Sequence, residues 1–416
     1  MEEYPTTVEV AKKHSYNFWK GKPVSKFSDV VYNSNIIEQD ISTRTNYSSE
    51  TPLTLPKGLE WKEITTFSES MLSQVCLFLN TYSTQSDKQK FKMEYTTDLI
   101  RLALGEQFGT ILMIISQKTG SIFGLIGYTI NNLTVFSQSE GFGVCHFLCV
   151  HPQYRKKNVA NILIDEGIKR LLHGKYGVSI SCFMTEKCVP SPVCCVRQYR
   201  RPINYELLHR LKFCALQKDC TEKDIKNFEV HGAIDQSIIK MTTDHLKQVL
   251  KLLKEFNMRF NVCRNYTIDE LESELINNAS VNSYVVLGKD MTVIDFFSFY
   301  DVNYLQCDKE KTEVIKSRNF YLYSCVNATQ DFILQNSLRI AQRDKIDVVN
   351  TTDIMLISNS ILTKEFDVGE DSDSDDRGKV YEYKFVRGGS KIYLNFFNWK
   401  CPKIKPVQLS LFWFNY

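Results

Sequence analysis

The sequence predicts an α/β protein built as two fused lobes of similar plan, a pseudo-two-fold internal repeat. Three observations predict it. The chain has 416 residues, more than one hydrophobic core usually serves. Residues 143–164 pass from an apolar strand through a basic turn into an amphipathic helix. The order of helices and strands in the first half then recurs loosely in the second, which places the division between an N-terminal lobe, 1–215, and a C-terminal lobe, 216–416.

Residues 1–50 are polar and low in periodicity, except for Tyr16-Asn17-Phe18-Trp19, whose aromatic pair needs something to cover. Apolar spacing predicts a helix from about Ser68 to Thr81, which carries Met71, Leu72, Val75, Leu77 and Phe78, and another over Thr97 to Leu104. Thr110–Ser116 and Ser121–Thr129 read as strands joined by Gln117-Lys118-Thr119-Gly120, a hairpin-length loop, with a third strand over Val144–Val150. Val159, Ile162, Leu163, Gly167, Leu171 and Leu172 fall on one face of the next helix, which Gly174 can close. The second half offers a helix near His245–Phe256, strands Ser283–Leu287, Thr292–Tyr300 and Asn319–Val326, a helix Asp331–Arg343 and a strand Asp347–Asn350. The acidic run 365–376 cannot bury a core and reads as a solvated loop. Lys391–Trp399 and Val407–Phe414 alternate as strands do, so the chain stops almost where its last apolar strand stops, with Tyr416 packed rather than frayed.

Composition narrows the class. A formal charge of +3 is too small to imply a nucleic-acid protein, and the basic residues are dispersed except around Arg155 to Lys157 and Arg197 to Arg201, so no nucleic-acid partner is expected. Thirteen cysteines without a C-x-x-C pair or a leading signal peptide read as buried thiols in a reducing, cytoplasmic compartment, with no metal site. The apolar runs are too short to span a bilayer. A monomer is expected.

The strand-turn-helix joint carries the chemistry. A strand ending at Val150 can present backbone N–H groups near Phe147 and Leu148 to the oxygen of an attacked thioester. The turn adds Arg155, Lys156 and Lys157, and the opening N–H groups of the next helix add an anion site. The joint therefore reads as an acyl-CoA site. The same residues would also suit an ordinary strand-turn-helix unit with a solvated basic corner.

Ordered motifs across the chain weigh on that choice. Tyr16-Asn17-Phe18-Trp19 with Pro23-Val24, Thr54-Leu55-Pro56-Lys57-Gly58 with Trp61, and Phe91-Lys92-Met93-Glu94-Tyr95 are followed by Phe147-Leu148-Cys149-Val150-His151. Then come Pro190-Ser191-Pro192-Val193 with Arg201-Pro202-Ile203-Asn204, Asp295 to Tyr300, and Asn398-Trp399-Lys400-Cys401-Pro402. In this order they resemble the eukaryotic-type glycylpeptide N-myristoyltransferases, whose fold is two lobes of the acyl-CoA N-acyltransferase type.

The resemblance implies transfer of a myristoyl chain from myristoyl-CoA, a substrate rather than a resident cofactor, to the N-terminal glycine amine of proteins or peptides. It implies that Tyr16, Asn17, Phe18 and Trp19 cover the CoA moiety, that Val150 and Arg155, Lys156, Lys157, Asn158, Val159 and Ala160 hold it, and that Phe147 and Leu148 supply the oxyanion amides. Phe91, Met93, Tyr95, Tyr199, Asn204, Ser298 and Tyr321 would line the peptide groove. The family's base is its terminal carboxylate, here that of Tyr416. An α-amine of pKa ~8 facing a carboxyl of ~3.5 leaves a gap of roughly 5 to 6 kcal/mol, which burial of the carboxyl would narrow.

Departures from the family pattern are local. The stretch before Phe91, Thr84 to Lys90, has one acid and two lysines where the family has an acidic cluster. His146 stands for an asparagine, Arg200 for a histidine, Asn158 for an arginine, Met184 for a threonine and Gly389 for an acid. Trp413 to Tyr416 extend beyond the usual Leu-Gln ending. Alternatives for such a chain are a noncatalytic binder of acyl-CoA or lipidated peptides, or an N-acyltransferase of altered acyl or amine specificity. Cys149 could suggest an acyl-enzyme, but strand alternation turns it toward the core.

Overall fold

The computed structural model describes residues 4–83, 90–105, 107–214, 216, 220–307, 313–355 and 385–412. Local sequence sets most element ends. Helix Glu69–Tyr82 begins where the Ser68 hydroxyl accepts the Met71 N–H, and it buries Leu72, Val75, Cys76, Phe78 and Leu79. Helix Thr97–Leu104 starts on a Thr96 cap and stops at Gly105, whose φ of 67° suits glycine. Helix Ile268–Leu275 opens on a reciprocal Thr267–Glu270 capping box.

The first lobe runs strand Leu59–Ile64, the two helices just described, strands Thr110–Ser116, Ile122–Val135 and Gln138–Val150, helix Val159–His173 and strand Ser181–Thr185. The second repeats the series: strand Ile238–Lys240, helices Leu246–Asn257 and Ile268–Leu275, strands Val281–Leu287, Val293–Gln306 and Val314–Ser324, helix Gln330–Arg343 and strand Val348–Thr352. A short strand between the two early helices of each lobe crosses to the other lobe. Phe91–Met93 pairs antiparallel with the end of Val293–Gln306, and Val262–Arg264 pairs antiparallel with the end of Ile122–Val135. The exchange is reciprocal, as a pseudo-two-fold relation requires.

The lobes do not hold separate sheets. Strands Cys194–Pro202 and Val386–Phe397 lie between them, and one 15-stranded sheet runs through both among the described residues. One large core cluster joins residues of both lobes, Leu163 and Phe142 with Phe297 and Leu338, and a second joins Leu99 and Phe147 with Leu271 and Tyr321. No helix among the described residues is long and apolar enough to cross a membrane.

Several expectations need adjusting. Over 407–412, the described part of the last predicted strand, Val407 and Gln408 belong to a 3-10 turn, Pro406–Gln408, and among the described residues only Leu409–Ser410 pair, parallel to Val262–Cys263. Pro406 has no N–H to give a ladder, so the chain turns there first. The predicted strand through Trp399 divides, because Asn398 takes a φ of 57° and Trp399–Lys400 pair instead with Asn35–Ile36. Strands Ile122–Val135 and Gln138–Val150 are also longer than the apolar runs suggested. The acidic run 365–376, residues 84–89 and Tyr416 lie outside the described residues.

Candidate functional site

The joint contains a β-bulge. Leu125 pairs with Cys149, but Gly127 pairs with His146, so Phe147 and Leu148 together oppose Ile126. Phe147 sits at φ 53°, a left-handed conformation costly for an aromatic residue. Packing holds it: the ring is buried and stands edge-on to Tyr95, with centroids 6.0 Å apart. Gly127 permits this, since a Cβ there would lie 3.2 Å from Phe147 Cδ2. Leu148 is turned outward, 43% exposed. Two successive peptide units are thus rotated out of the ladder, the geometry an oxyanion hole uses.

Beside the bulge the sheet opens. Gln138–Val150 pairs parallel with Ser181–Thr185 at Gly143–Ser181 and Val144–Cys182, after which the two strands pair no further with each other and each stays bonded only to its other neighbour. An extended chain can lie along the widening edge. At its far end come a 3-10 turn, Pro152–Tyr154, left-handed residues Lys156 and Asn158, and helix Val159–His173 with no side-chain cap on its first N–H groups. Those N–H groups, with exposed Lys156 and Lys157 beside them, are of the kind that can receive an anion. Arg155 acts differently from its neighbours: its guanidinium donates to the carbonyls of Val150, at 3.0 Å, and of Tyr82, fastening the turn. Val159 and Ala160 are buried.

The N-terminal aromatic run packs on the outer face of the same helix, against Ile164, Ile168 and Leu172. Trp19 stacks on Phe183 at 5.5 Å, Phe18 lies edge-on to Trp19, and the Tyr16 hydroxyl donates to the Cys188 carbonyl at 2.8 Å. Lys22 anchors the segment to Asp165. Asn17 is exposed.

The residues expected in the peptide groove divide. Tyr95 meets Phe147, its backbone bracketed by the Asn80 amide. Phe91 lies edge-on to Phe213, while Met93 and Tyr199 are buried. Asn204 accepts the Leu207 N–H as a helix cap and donates to Asp347. Ser298 is fully buried; its hydroxyl donates to the Leu322 carbonyl at 2.8 Å and accepts the Leu322 N–H at 3.0 Å. The Tyr321 hydroxyl donates to Glu274. Tyr416 falls outside the described residues, but Phe412 is placed: its ring lies 4.8 Å from Tyr321 and 5.4 Å from Tyr300, packed against both main clusters.

Sequence reasoning missed a buried polar group between bulge and chain end. Arg264 pairs with Glu270 at 3.0 Å and Glu274 at 2.8 Å and lies over the Tyr266 ring. Burial, with the Arg264 charge, pushes the His146 pKa down to about 3, so the ring beside the bulge is neutral. A signal existed: Tyr-Thr-x-Asp at 95–98 recurs at 266–269. Burial pushes the Cys149 thiol up to about 12, which leaves it protonated and a poor nucleophile.

Comparison with known proteins gives this geometry a setting. Residues 36–196 match the family described as Myristoyl-CoA:protein N-myristoyltransferase, N-terminal domain, and residues 210–410 match its C-terminal domain. A "Probable glycylpeptide N-tetradecanoyltransferase" of Caenorhabditis elegans is 24% identical over 98% of this chain and 87% of its own. The Kluyveromyces lactis glycylpeptide N-tetradecanoyltransferase is 28% identical over 70% of this chain and 65% of its own. The crystal structure of Saccharomyces cerevisiae N-myristoyltransferase with bound myristoyl-CoA superposes with a TM-score of 0.82 at 20% identity, covering 96% of this chain and 93% of that one, a likeness of fold.

Proposed function

This chain belongs to the Myristoyl-CoA:protein N-myristoyltransferase family, and from that premise we propose that it transfers a myristoyl chain from myristoyl-CoA to the N-terminal glycine amine of proteins by direct attack. The thioester lies at the bulge, where the Phe147 and Leu148 amides receive the charge that develops on its oxygen. Donors of this kind contribute about 3 kcal/mol each to the transition state. The extended part of CoA follows the opening beside Val150, and its phosphates meet Lys156, Lys157 and the N–H groups from Asn158 to Ala160. Arg155 keeps that turn in place, and Tyr16 to Trp19 cover it.

The attacking amine must first lose a proton, because an α-amine of pKa ~8 is mostly protonated at neutral pH. The Tyr416 carboxylate is assigned as acceptor. Phe91, Met93, Tyr95, Tyr199, Asn204, Ser298 and Tyr321 bound the peptide side, directly or by fixing its walls. Both halves of the site come from one chain, which suits a monomer, and thirteen cysteines without a disulfide suit a reducing cytoplasm.

The observation that carries the reading is the bulge with Phe147 at φ 53°. Strain at that position persists where it serves a site. Incubation with myristoyl-CoA and a glycine-led peptide should add one tetradecanoyl group to the peptide and release an equal amount of CoA thiol. Recovery of both ligands bound but unchanged would refute transfer and leave a binding protein. Mixed acyl donors, read by mass spectrometry, would expose another chain length.

A further inference from the structure

The two lobes solve one packing problem with different chemistry. Strand Phe91–Met93 and helix Thr97–Leu104 recur as Val262–Arg264 and Ile268–Leu275, with Met93 opposite Tyr304 in one crossing and Arg264 opposite Leu133 in the other. The bulge recurs too: Phe297 pairs with Tyr323 and Phe299 with Phe320, leaving Tyr321 and Leu322 where the first lobe has Phe147 and Leu148. By this correspondence Met93, Leu99, Ala103 and Phe147 become Arg264, Glu270, Glu274 and Tyr321.

The first four are buried together in one apolar cluster. The second four form a chain of contacts, Glu270 to Arg264 at 3.0 Å, Arg264 to Glu274 at 2.8 Å, and the Tyr321 hydroxyl to Glu274. The fold does not need these charges, since the first lobe closes the same corner without any, and an enclosed ion network bears a desolvation cost that apolar side chains avoid. What sets the second copy apart is its neighbours. Tyr321 stands edge-on to Phe412, the last described residue before the chain end. The Arg264 charge acts on His146, the residue before the Phe147 bulge. Arg264 and Glu270 also line an open groove of about 1140 Å³, so the network runs from Phe412 to solvent.

We propose that Arg264 and Glu274 are positioning residues for acyl transfer, holding the Tyr321 phenol and, through its ring, Phe412 against the cluster that contains Phe147. This rests on the transfer reading above. The test transplants the apolar corner into the second lobe of the full chain, as Arg264→Met, Glu270→Leu, Glu274→Ala and Tyr321→Phe together, beside the single variants Tyr321→Phe and Glu274→Gln. The fourfold variant should melt no lower than the wild type and bind myristoyl-CoA with unchanged Kd, while kcat falls on the order of a hundredfold, as for a reacting group misplaced by about 1 Å. The single variants should lower kcat with KM for myristoyl-CoA unchanged. A folded fourfold variant with wild-type kcat overturns the proposal. Should that variant fail to fold, the single variants decide: wild-type kcat in both overturns it, and reduced kcat supports it. A wild-type protein that makes no product removes the transfer reading and this proposal with it, whereas an active wild type with indifferent variants removes only the positioning role.

Discussion

Strand Ile122–Val135 carries two glycines on opposite faces, and they separate the two halves of the joint. A Cβ at Gly127 would stand 3.0 Å from Leu104 Cδ2 and 3.2 Å from Phe147 Cδ2, on the bulge side. A Cβ at Gly124 would stand 3.0 Å from Leu163 Cδ1 and 3.4 Å from Val159 Cγ1, under the first turns of the anion-binding helix. Carbon atoms pack at about 3.5 to 4.0 Å, so each methyl displaces its neighbours by several tenths of an ångström and costs about 1 to 3 kcal/mol. The stability losses should therefore match while the kinetic losses differ. Gly127→Ala moves the Phe147 backbone and should lower kcat about ten- to a hundredfold, short of the 10² to 10³ that removal of an oxyanion donor costs. Gly124→Ala moves the helix end and should raise KM for myristoyl-CoA with kcat nearly unchanged. Steady-state kinetics with a glycine-led peptide, alongside thermal melts, reads both. Equal kcat losses in the two variants, or a Gly127→Ala enzyme impaired only in KM, would refute the assignment of bulge and helix to separate tasks.

Three further outcomes are expected. His146 has its folded-state pKa lowered from 6.5 to about 3 by burial and Arg264, so its contribution is complete above pH 6.5 and is lost as pH falls toward 3, because only the unfolded chain takes the proton. His146→Asn should recover on the order of 3 kcal/mol near pH 4 relative to pH 7; urea unfolding at both values checks this, and an unaltered pH dependence contradicts it. Cys149→Ser should keep full turnover, since attack is direct, and an acyl-enzyme trapped on Cys149 in the wild type would show otherwise. Deleting Asn415 and Tyr416 should lower kcat about 10²- to 10⁴-fold, the range of a lost general base, whereas undiminished turnover would place the base elsewhere.

Much of this was legible because local signals agreed with burial. Thr110–Ser116 and Thr97–Leu104 emerge with the bounds the sequence suggested, the helix because Thr96 caps it and Gly105 ends it. The joint was legible since an apolar run, three basic residues and a helical stripe adjoin within one short segment. The bulge was not, because it depends on register across two strands, and register lies in pairing rather than in either strand alone. Arg264, Glu270 and Glu274 were hidden for another reason: Ile-Asp-Glu-Leu-Glu-Ser-Glu-Leu reads as a solvated amphipathic helix, and only the crossing strand beneath it turns two of its acids inward. The tail misled because alternation in Val407–Phe414 promises a strand, whereas among the described residues only Leu409 and Ser410 pair.

The repeat raises the question of why two bulges give one thioester site. In the second lobe Ser298 faces the bulge, and its buried hydroxyl both accepts the Leu322 N–H and donates to the Leu322 carbonyl. Turning that N–H toward a thioester oxygen would cost the Ser298 hydroxyl the one bond it accepts inside the core, about 0.5 to 1.5 kcal/mol. Across from Phe147 and Leu148 stands Ile126, which has no polar atom to compete. The second bulge is therefore closed by its own strand, and the opening beside Val150 belongs to the lobe whose bulge faces an apolar side chain. The bulge register occurs in both lobes, but Tyr321 lacks the positive φ of Phe147, so the backbone turn at Phe147 and the residue opposite the bulge together set the two copies apart.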